Sequence, residues 1–311
     1  MFYVATLISH PDTYAVTHDL CREITRYLPE GRIATRFHPG FAVDITFQFP
    51  DLDDPNVSPD GERAFLNLLT EDCCGIVGSA PVDIVIQPDD EHRRKRLLIA
   101  DMDSTMIGQE CIDELADFAG VKPEVSAITE RAMRGEIAFE PALRARVALL
   151  KGLPASIVDE VIASRITLTP GARTLVATMR SHGAQAALVS GGFTLFTAKI
   201  AAQLGFHSNQ ANELIVRDGH LTGEVAEPIL GRAAKQAALD RLCQKHRIKL
   251  AATLAVGDGA NDLDMLGAAG LGIAYHAKPA VAAAAHAAIR HGDLTALLYA
   301  QGYRREEFVE G

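Results

Sequence analysis

Apolar and polar positions alternate along the chain in two rhythms, and the change falls near residue 96. Before it, the apolar runs are short and mixed in period. "FYVATLIS" is rich in β-branched and aromatic residues and predicts a strand. "TYAVTHDLCREITRYL" carries apolar residues at helical spacing. "RIATRF", "HPG" and "FAVDITFQF" predict a strand, a turn and an alternating strand, together a hairpin. "GERAFLNLLTED" predicts a second helix, and "PVDIVIQP" a last strand.

That order, β-α-β-β-α-β, is the order of a ferredoxin-like α+β sandwich and predicts a first domain at residues 1–88. "PDDEHRRKR", from Pro88 to Arg96, has no apolar period and reads as a solvated linker. From Leu97 the apolar runs become nearly continuous. "LLIAD", "AQAALVSGG" (its strand ending at Ser190), "LAATLAVGDG" (ending at Asp258) and "GLGIAYHA" predict four strands with helical patterns between them. Such strands suit an open, parallel, Rossmann-like sheet covered on both faces. Between the first two lies a mostly helical insertion, about residues 112–168, from Ile112 to Leu168. It is too long for an ordinary crossover and predicts a cap over the site. "VRDGHLTGEV" holds Asp218-Gly219, a tight-turn signal, and predicts a hairpin. The alanine-rich "AVAAAAHAAI" predicts a plain helix. The fold class is therefore α/β with a helical cap after the first strand, over residues 89–311, preceded by the α+β unit.

Composition narrows the classes. Hydrophobic residues make up 48% of 311, enough for a sizeable core. A formal net charge of -10 argues against nucleic acid or an anionic membrane as the main partner. It leaves small anions open, because they need only a local cation or a helix N-terminus. "MFYVATLISHPD" lacks the basic start and cleavage site of a secretory signal. The nearest approach to a membrane span, "HGAQAALVSGGFTLFTAKIAAQLGF", is broken by a double glycine and Lys199. Five cysteines without a CxxC spacing do not suggest a disulfide framework. The eleven histidines show no HExxH pairing, so no metal is assigned to them. A cytoplasmic protein is expected.

Candidate chemistry gathers where the apolar runs stop. Asp101 and Asp103, Ser190 with Gly191 and Gly192, and Asp258 with Asn261 and Asp262 all fall just past predicted strand ends. Open α/β sheets bind ligands at that edge. A carboxylate can attack phosphorus, and a second can protonate the leaving oxygen and then activate water. Asp101 and Asp103, two apart on an extended segment, project to one side and suit both roles. Their mutual repulsion would be relieved by Mg2+, with Asp258 as a further ligand and Asp262 orienting the shell. Ser190 and the Gly191 backbone can cradle phosphate oxygens. Lys235, in "LGRAAKQAALDRL", is the candidate cation for the transition state.

Four motifs, "DMDST", "LVSGGF", a lysine at a helix start and "GDGAND", resemble those of the haloacid dehalogenase superfamily in type and order. More narrowly, "DMDSTMIGQECIDELA", "ITERAMRGEIAFEPALRARVALLKGLP", "LVSGGFT" and "AVGDGANDLDML" resemble the phosphoserine phosphatases, from about Arg96 to the end. The resemblance implies Mg2+-dependent hydrolysis of O-phospho-L-serine through an aspartyl-phosphate, the last step of L-serine biosynthesis. On it, Asp101 is nucleophile and metal ligand. Asp103 is the acid/base, its backbone carbonyl meeting the metal, and Asp258 is the third ligand. Ser190, Gly191 and Lys235 hold the phosphate. Glu110 meets the substrate ammonium and Arg146 its carboxylate. Asn261 lies at the substrate, and Asp262 supports Lys235 and the metal. Met133 and Phe139 line the cap. Longer members of the family carry an ACT-like ferredoxin fold in front, which makes the first unit a candidate for homodimerisation or amino-acid binding. Another small phosphomonoester, or phosphoryl transfer to an alcohol, remains the alternative. Dehalogenation has no use for an acid at Asp103, and a transport ATPase would need membrane spans.

Overall fold

A computed structural model describes residues 2–49, 59–134 and 136–311. The N-terminal unit runs β1 (Phe2–Ser9), α1 (His18–Tyr27), β2 (Arg32–His38), β3 (Ala42–Gln48), α2 (Pro59–Val77) and β4 (Val82–Pro88). Its sheet has the order β2-β3-β1-β4, every neighbouring pair antiparallel. Each helix thus links two parallel strands that are split by a third, the ferredoxin-like arrangement. The first helix begins later than its apolar spacing suggests. Thr17 accepts the Leu20 N–H through its hydroxyl, 3.2 Å, and starts the helix at His18.

The sheet is buried on both faces. Tyr3, Ala5 and Leu7 pack under α1 and α2 with Ile24, Phe47 and Cys73. Ile8, Ala42 and Val85 belong to the core of the rest of the chain, with Leu297 and Tyr299. That shared core overturns the expectation of a solvated linker over Pro88–Arg96. Arg93 reaches both carboxylate oxygens of Asp44, 2.8 and 2.7 Å, and the Ala300 carbonyl, 3.1 Å. Arg94 lies over the Tyr303 ring, 4.3 Å from its centroid. Lys95 is buried, and its ammonium donates to the Ala251 carbonyl, 3.0 Å. Arg93, Arg94 and Lys95, three of the charges that made the stretch look solvated, have fixed partners, while Glu91 and Arg96 are exposed.

The second sheet is parallel, six-stranded, with the order β12-β11-β10-β5-β6-β7. Its strands are β5 (Leu97–Ala100), β6 (Gln185–Phe193), β7 (Ser208–Asn212), β10 (Thr253–Gly257), β11 (Leu271–Tyr275) and β12 (Ala287–Ile289). Helices α7 (Ala172–Ser181), α8 (Thr194–Leu204), α9 (Arg232–His246), α10 (Leu263–Ala268), α11 (Pro279–Ala284) and α12 (Ala296–Ala300) complete the unit. The cap helices α3 (Cys111–Phe118), α4 (Lys122–Met133), α5 (Phe139–Ala148) and α6 (Ile157–Ser164) follow β5. The hairpin β8 (Leu214–Arg217) and β9 (His220–Val225) leans on them, the Gly152 N–H bonding the Leu221 carbonyl at 2.8 Å. No described helix is long and apolar enough to cross a membrane.

Two local expectations fail. "AVAAAAHAAI" is not one helix: α11 ends at Ala284 and Ala287–Ile289 form β12. His286 forces the break by bonding twice to Gly272, its N–H to the carbonyl at 3.0 Å and its Nδ1 to the N–H at 2.8 Å. Strand pairing overrides alanine's helix propensity there. Strand β6 does not end at Ser190. It bulges over Ser190–Gly192 and resumes at Phe193, opposite Asn212.

Candidate active site

Strands β10, β5 and β6 are immediate neighbours, so the three polar strand ends meet at one edge of the sheet. The Asp101 N–H still bonds the Val256 carbonyl at 3.0 Å, and then the chain turns. The Met102 N–H folds back on Asp101 Oδ1, 2.7 Å, and the Met102 carbonyl gathers the N–H groups of Thr105, Met106 and Ile107. The Met102 side chain is fully buried and anchors this turn. Asp103 therefore leaves the strand direction and reaches the start of the cap, where the Cys111 N–H donates to its Oδ1 at 3.0 Å.

The Ser190 hydroxyl donates to Asp103 Oδ2, 3.2 Å, and accepts the Gly192 N–H, 2.8 Å. This contact explains the second glycine of "SGG". A Cβ on Gly192 would lie 2.6 Å from Asp103 Oδ2. Burial, with Glu110 close by, pushes the Asp103 carboxyl up to about 7.

Lys235, fully buried in α9, places its ammonium 2.8 Å from Asp101 Oδ2 and 2.6 Å from Asp262 Oδ1. Burial alone would lower its pKa, but the two carboxylates outweigh burial and raise it. Asp262 also accepts the Gly259 N–H at 3.1 Å. A Cβ on Gly257 would lie 2.3 Å from its Cγ, so that strand end must be glycine. Burial and Asp101 push Asp262 up. Asp258 is raised to about 7 by burial, then by Asp101 and Asp262. Ligand oxygens of Asp101, Asp258 and Asp262 lie within 4.8 Å of one another, close enough to hold one metal ion. The Asp103 carboxylate is not in that group.

The cap side is wider. Glu110, the N-cap of α3, accepts from the Ser104 hydroxyl at 2.7 Å. Burial raises its pKa, and Arg146 acts against that. Arg146 sits in α5, half-buried, and is not ion-paired directly with Glu110. The Phe139 ring lies over the backbone: Cβ atoms on Gly191 and Gly231 would meet it at 3.8 and 3.6 Å. Asn261 comes to the same glycine, 3.8 Å from a Gly191 Cβ. Met133 ends α4, and its side chain lies outside the described residues.

Sequence reasoning missed two groups. Thr105 is buried and donates to Asp258 Oδ1 at 3.3 Å. Asn212 is buried and ties the Gly191 carbonyl, 2.8 Å, to Leu230, whose N–H it accepts at 2.6 Å. It thereby links the glycine bulge to the segment that leads into α9. Nothing in "SNQAN" singles that amide out.

A model of the haloacid dehalogenase-like hydrolases matches residues 98–267, which carry all of these strand ends. The chain belongs to the haloacid dehalogenase-like hydrolase family. Among similar members, a phosphoserine phosphatase of Streptomyces coelicolor is 50% identical over 73% of this chain and 55% of its own length. This chain thus spans about half of that relative. A phosphoserine phosphatase of Polaromonas is 47% identical over 69% of this chain and 93% of its own. A solved phospho-aspartyl intermediate analogue of a phosphoserine phosphatase superimposes with a TM-score of 0.62. It is 44% identical and covers 66% of this hydrolase chain and 98% of its own.

Proposed function

We propose that the chain is a Mg2+-dependent phosphatase that converts O-phospho-L-serine to L-serine and phosphate through an aspartyl-phosphate on Asp101. It would thus supply the last step of L-serine biosynthesis. One observation carries this reading. Asp101 lies 2.8 Å from the Lys235 ammonium, while Asp103, two residues on, is held by the Ser190 hydroxyl and the Cys111 N–H and has its carboxyl pushed up to about 7, where it can give and take a proton. A nucleophile and an acid thus stand side by side. The relatives' names favour phosphoserine as the substrate. On this reading the chain divides into residues 1–88 and 89–311, with the cap near 112–168. A homodimer through the first unit belongs to the same proposal.

The donor set suits a hard dication: three clustered carboxylates, two of which, Asp258 and Asp262, are raised in pKa by burial and then by Asp101. Asp101, Asp258 and the Asp103 backbone oxygen would hold Mg2+, with Asp262 orienting them. Bound there, the ion would offset the charge on the phosphate.

An Asp101 carboxylate oxygen forms a bond to phosphorus, and the bond from phosphorus to the serine oxygen breaks. Asp103 gives its proton to that oxygen. The Asp103 carboxylate then takes a proton from water, which attacks phosphorus and releases Asp101. Ser190, the Gly191 backbone and Lys235 hold the phosphate oxygens through both steps. Glu110 receives the substrate ammonium and Arg146 its carboxylate, Asn261 lies beside them, and Phe139 and Met133 close the lining.

Phosphate release across a panel of phosphomonoesters, with and without Mg2+, tests the reading. Phosphoserine should give the highest kcat/KM, Mg2+ should be required, and Asp101→Asn should release none. Release at the wild-type rate from Asp101→Asn overturns the mechanism. Preference for an ester lacking ammonium and carboxylate overturns the substrate, and an ester product with added alcohol would indicate phosphoryl transfer.

A further inference from the structure

The way Arg146 is held goes beyond its own role. A guanidinium has five N–H donors in a fixed fork. The Arg146 Nε donates to the Ala142 carbonyl at 3.3 Å, and Nη1 donates to the Thr129 hydroxyl at 3.4 Å. The Thr129 hydroxyl gives its own hydrogen to the Val125 carbonyl, 3.0 Å, one turn back in α4. Its oxygen is therefore left as an acceptor facing α5. With Nε tied to its own helix, the side edge of the fork is closed. One Nη1 hydrogen and both Nη2 hydrogens remain without a partner among the described residues. Those three hydrogens are enough for a carboxylate to take two parallel hydrogen bonds. Asp113 and Glu110 are the acidic groups that act on Arg146. Neither forms an ion pair with it among the described residues, and Glu110 is bonded to the Ser104 hydroxyl instead.

We propose that Thr129 is a specificity-determining positioning residue. It aims Arg146 so that a substrate bearing a carboxylate is favoured over the same phosphate ester without one. This rests on the reading of Arg146 as the carboxylate receiver. A threonine on one cap helix would thus set the aim of an arginine on the next. It contacts neither phosphate nor reacting atoms, so the chemical step should not feel it.

The test compares O-phospho-L-serine with phosphoethanolamine, which keeps phosphate and ammonium but lacks the carboxylate. The enzymes are wild type, Thr129→Val, Thr129→Ser and Arg146→Ala. Valine keeps the shape and removes the acceptor, while serine restores it. Thr129→Val should raise KM for phosphoserine about five- to tenfold and leave kcat, and KM for phosphoethanolamine, within about twofold. Thr129→Ser should return to wild type. Arg146→Ala should lose discrimination between the two esters altogether. If Arg146→Ala loses discrimination while Thr129→Val keeps it, the proposal for Thr129 fails and the reading of Arg146 stands. If Arg146→Ala keeps discrimination, both fall. An equal loss on both esters in Thr129→Val, not rescued by serine, would mark a merely structural role and also overturn the proposal.

Discussion

Two regions bury carboxylates, and they treat them in opposite ways. At the joint between the two units, each carboxylate is matched. Asp44 has Arg93 and the Thr6 hydroxyl. Asp83 takes the backbone N–H groups of Arg290, His291 and Gly292 at the end of β12. At the sheet edge, Asp101, Asp258 and Asp262 cluster, and one ammonium, Lys235, pairs with Asp101 and Asp262. The joint satisfies each buried carboxylate with hydrogen bonds fixed by the fold. The edge keeps a surplus of carboxylates over cations, which a proton or a bound cation can offset.

The sharpest way to break that contrast is Lys235→Met. Removing the ammonium leaves Asp101 and Asp262 buried without a cation. Phosphate release should fall about 10²- to 10³-fold. Without Mg2+ the protein should lose about 3 kcal/mol, read from denaturant unfolding. Added Mg2+ should recover part of the stability and little of the rate.

Arg93→Ala tests the other region. It strands Asp44, which is buried, and should cost about 3 kcal/mol. The kcat of the folded enzyme should stay at the wild-type value. A change in kcat with unchanged unfolding would reverse the assignment of the two regions.

Asp83→Ala should cost less, about 2 kcal/mol, because it unpairs neutral N–H groups rather than a charge. Calorimetry should then separate the melting of the N-terminal sheet from that of the parallel sheet.

The smallest effect is a pH dependence. Asp258 is raised to about 7. Its unfolded value is near 4. The folded state therefore holds an extra proton between those values. That contribution to stability is full below the unfolded value and is lost as pH rises through the folded one. In EDTA, Tm should fall as pH rises through about 7, and Mg2+ should raise Tm more at about pH 8 than at about pH 6. A Mg2+ shift that is equal at both values would detach the acidic group from the metal.

What was legible in the sequence follows from the same physics. The site was visible because apolar runs in the sequence stop abruptly at Asp101, Ser190 and Asp258, even though strand β6 itself continues past Ser190, and burial on both faces makes such runs easy to see. Strand β7, "SNQAN", was not visible, because an edge strand with polar residues carries no apolar signal. Strand β12 hid in an alanine run, where local propensity favours a helix and only the pairing with β11 decides otherwise. The linker was misread because a charge run looks the same whether water or Asp44, Glu307 and Ala251 receive its charges. Gly192 and Gly257 did carry a signal. A glycine inside a strand often marks a close approach, and here the approaching atoms are the Asp103 and Asp262 carboxylates.

The pinned linker has a consequence for building chimeras. Arg93, Arg94 and Lys95 plug into Ala300, Glu307 and Ala251, which lie far along the chain. The first unit is thus not a portable cartridge cut off at Pro88. An exchange with a relative must carry the linker together with its sockets near residues 251 and 300–307, or the transplanted sheet will arrive without its seat.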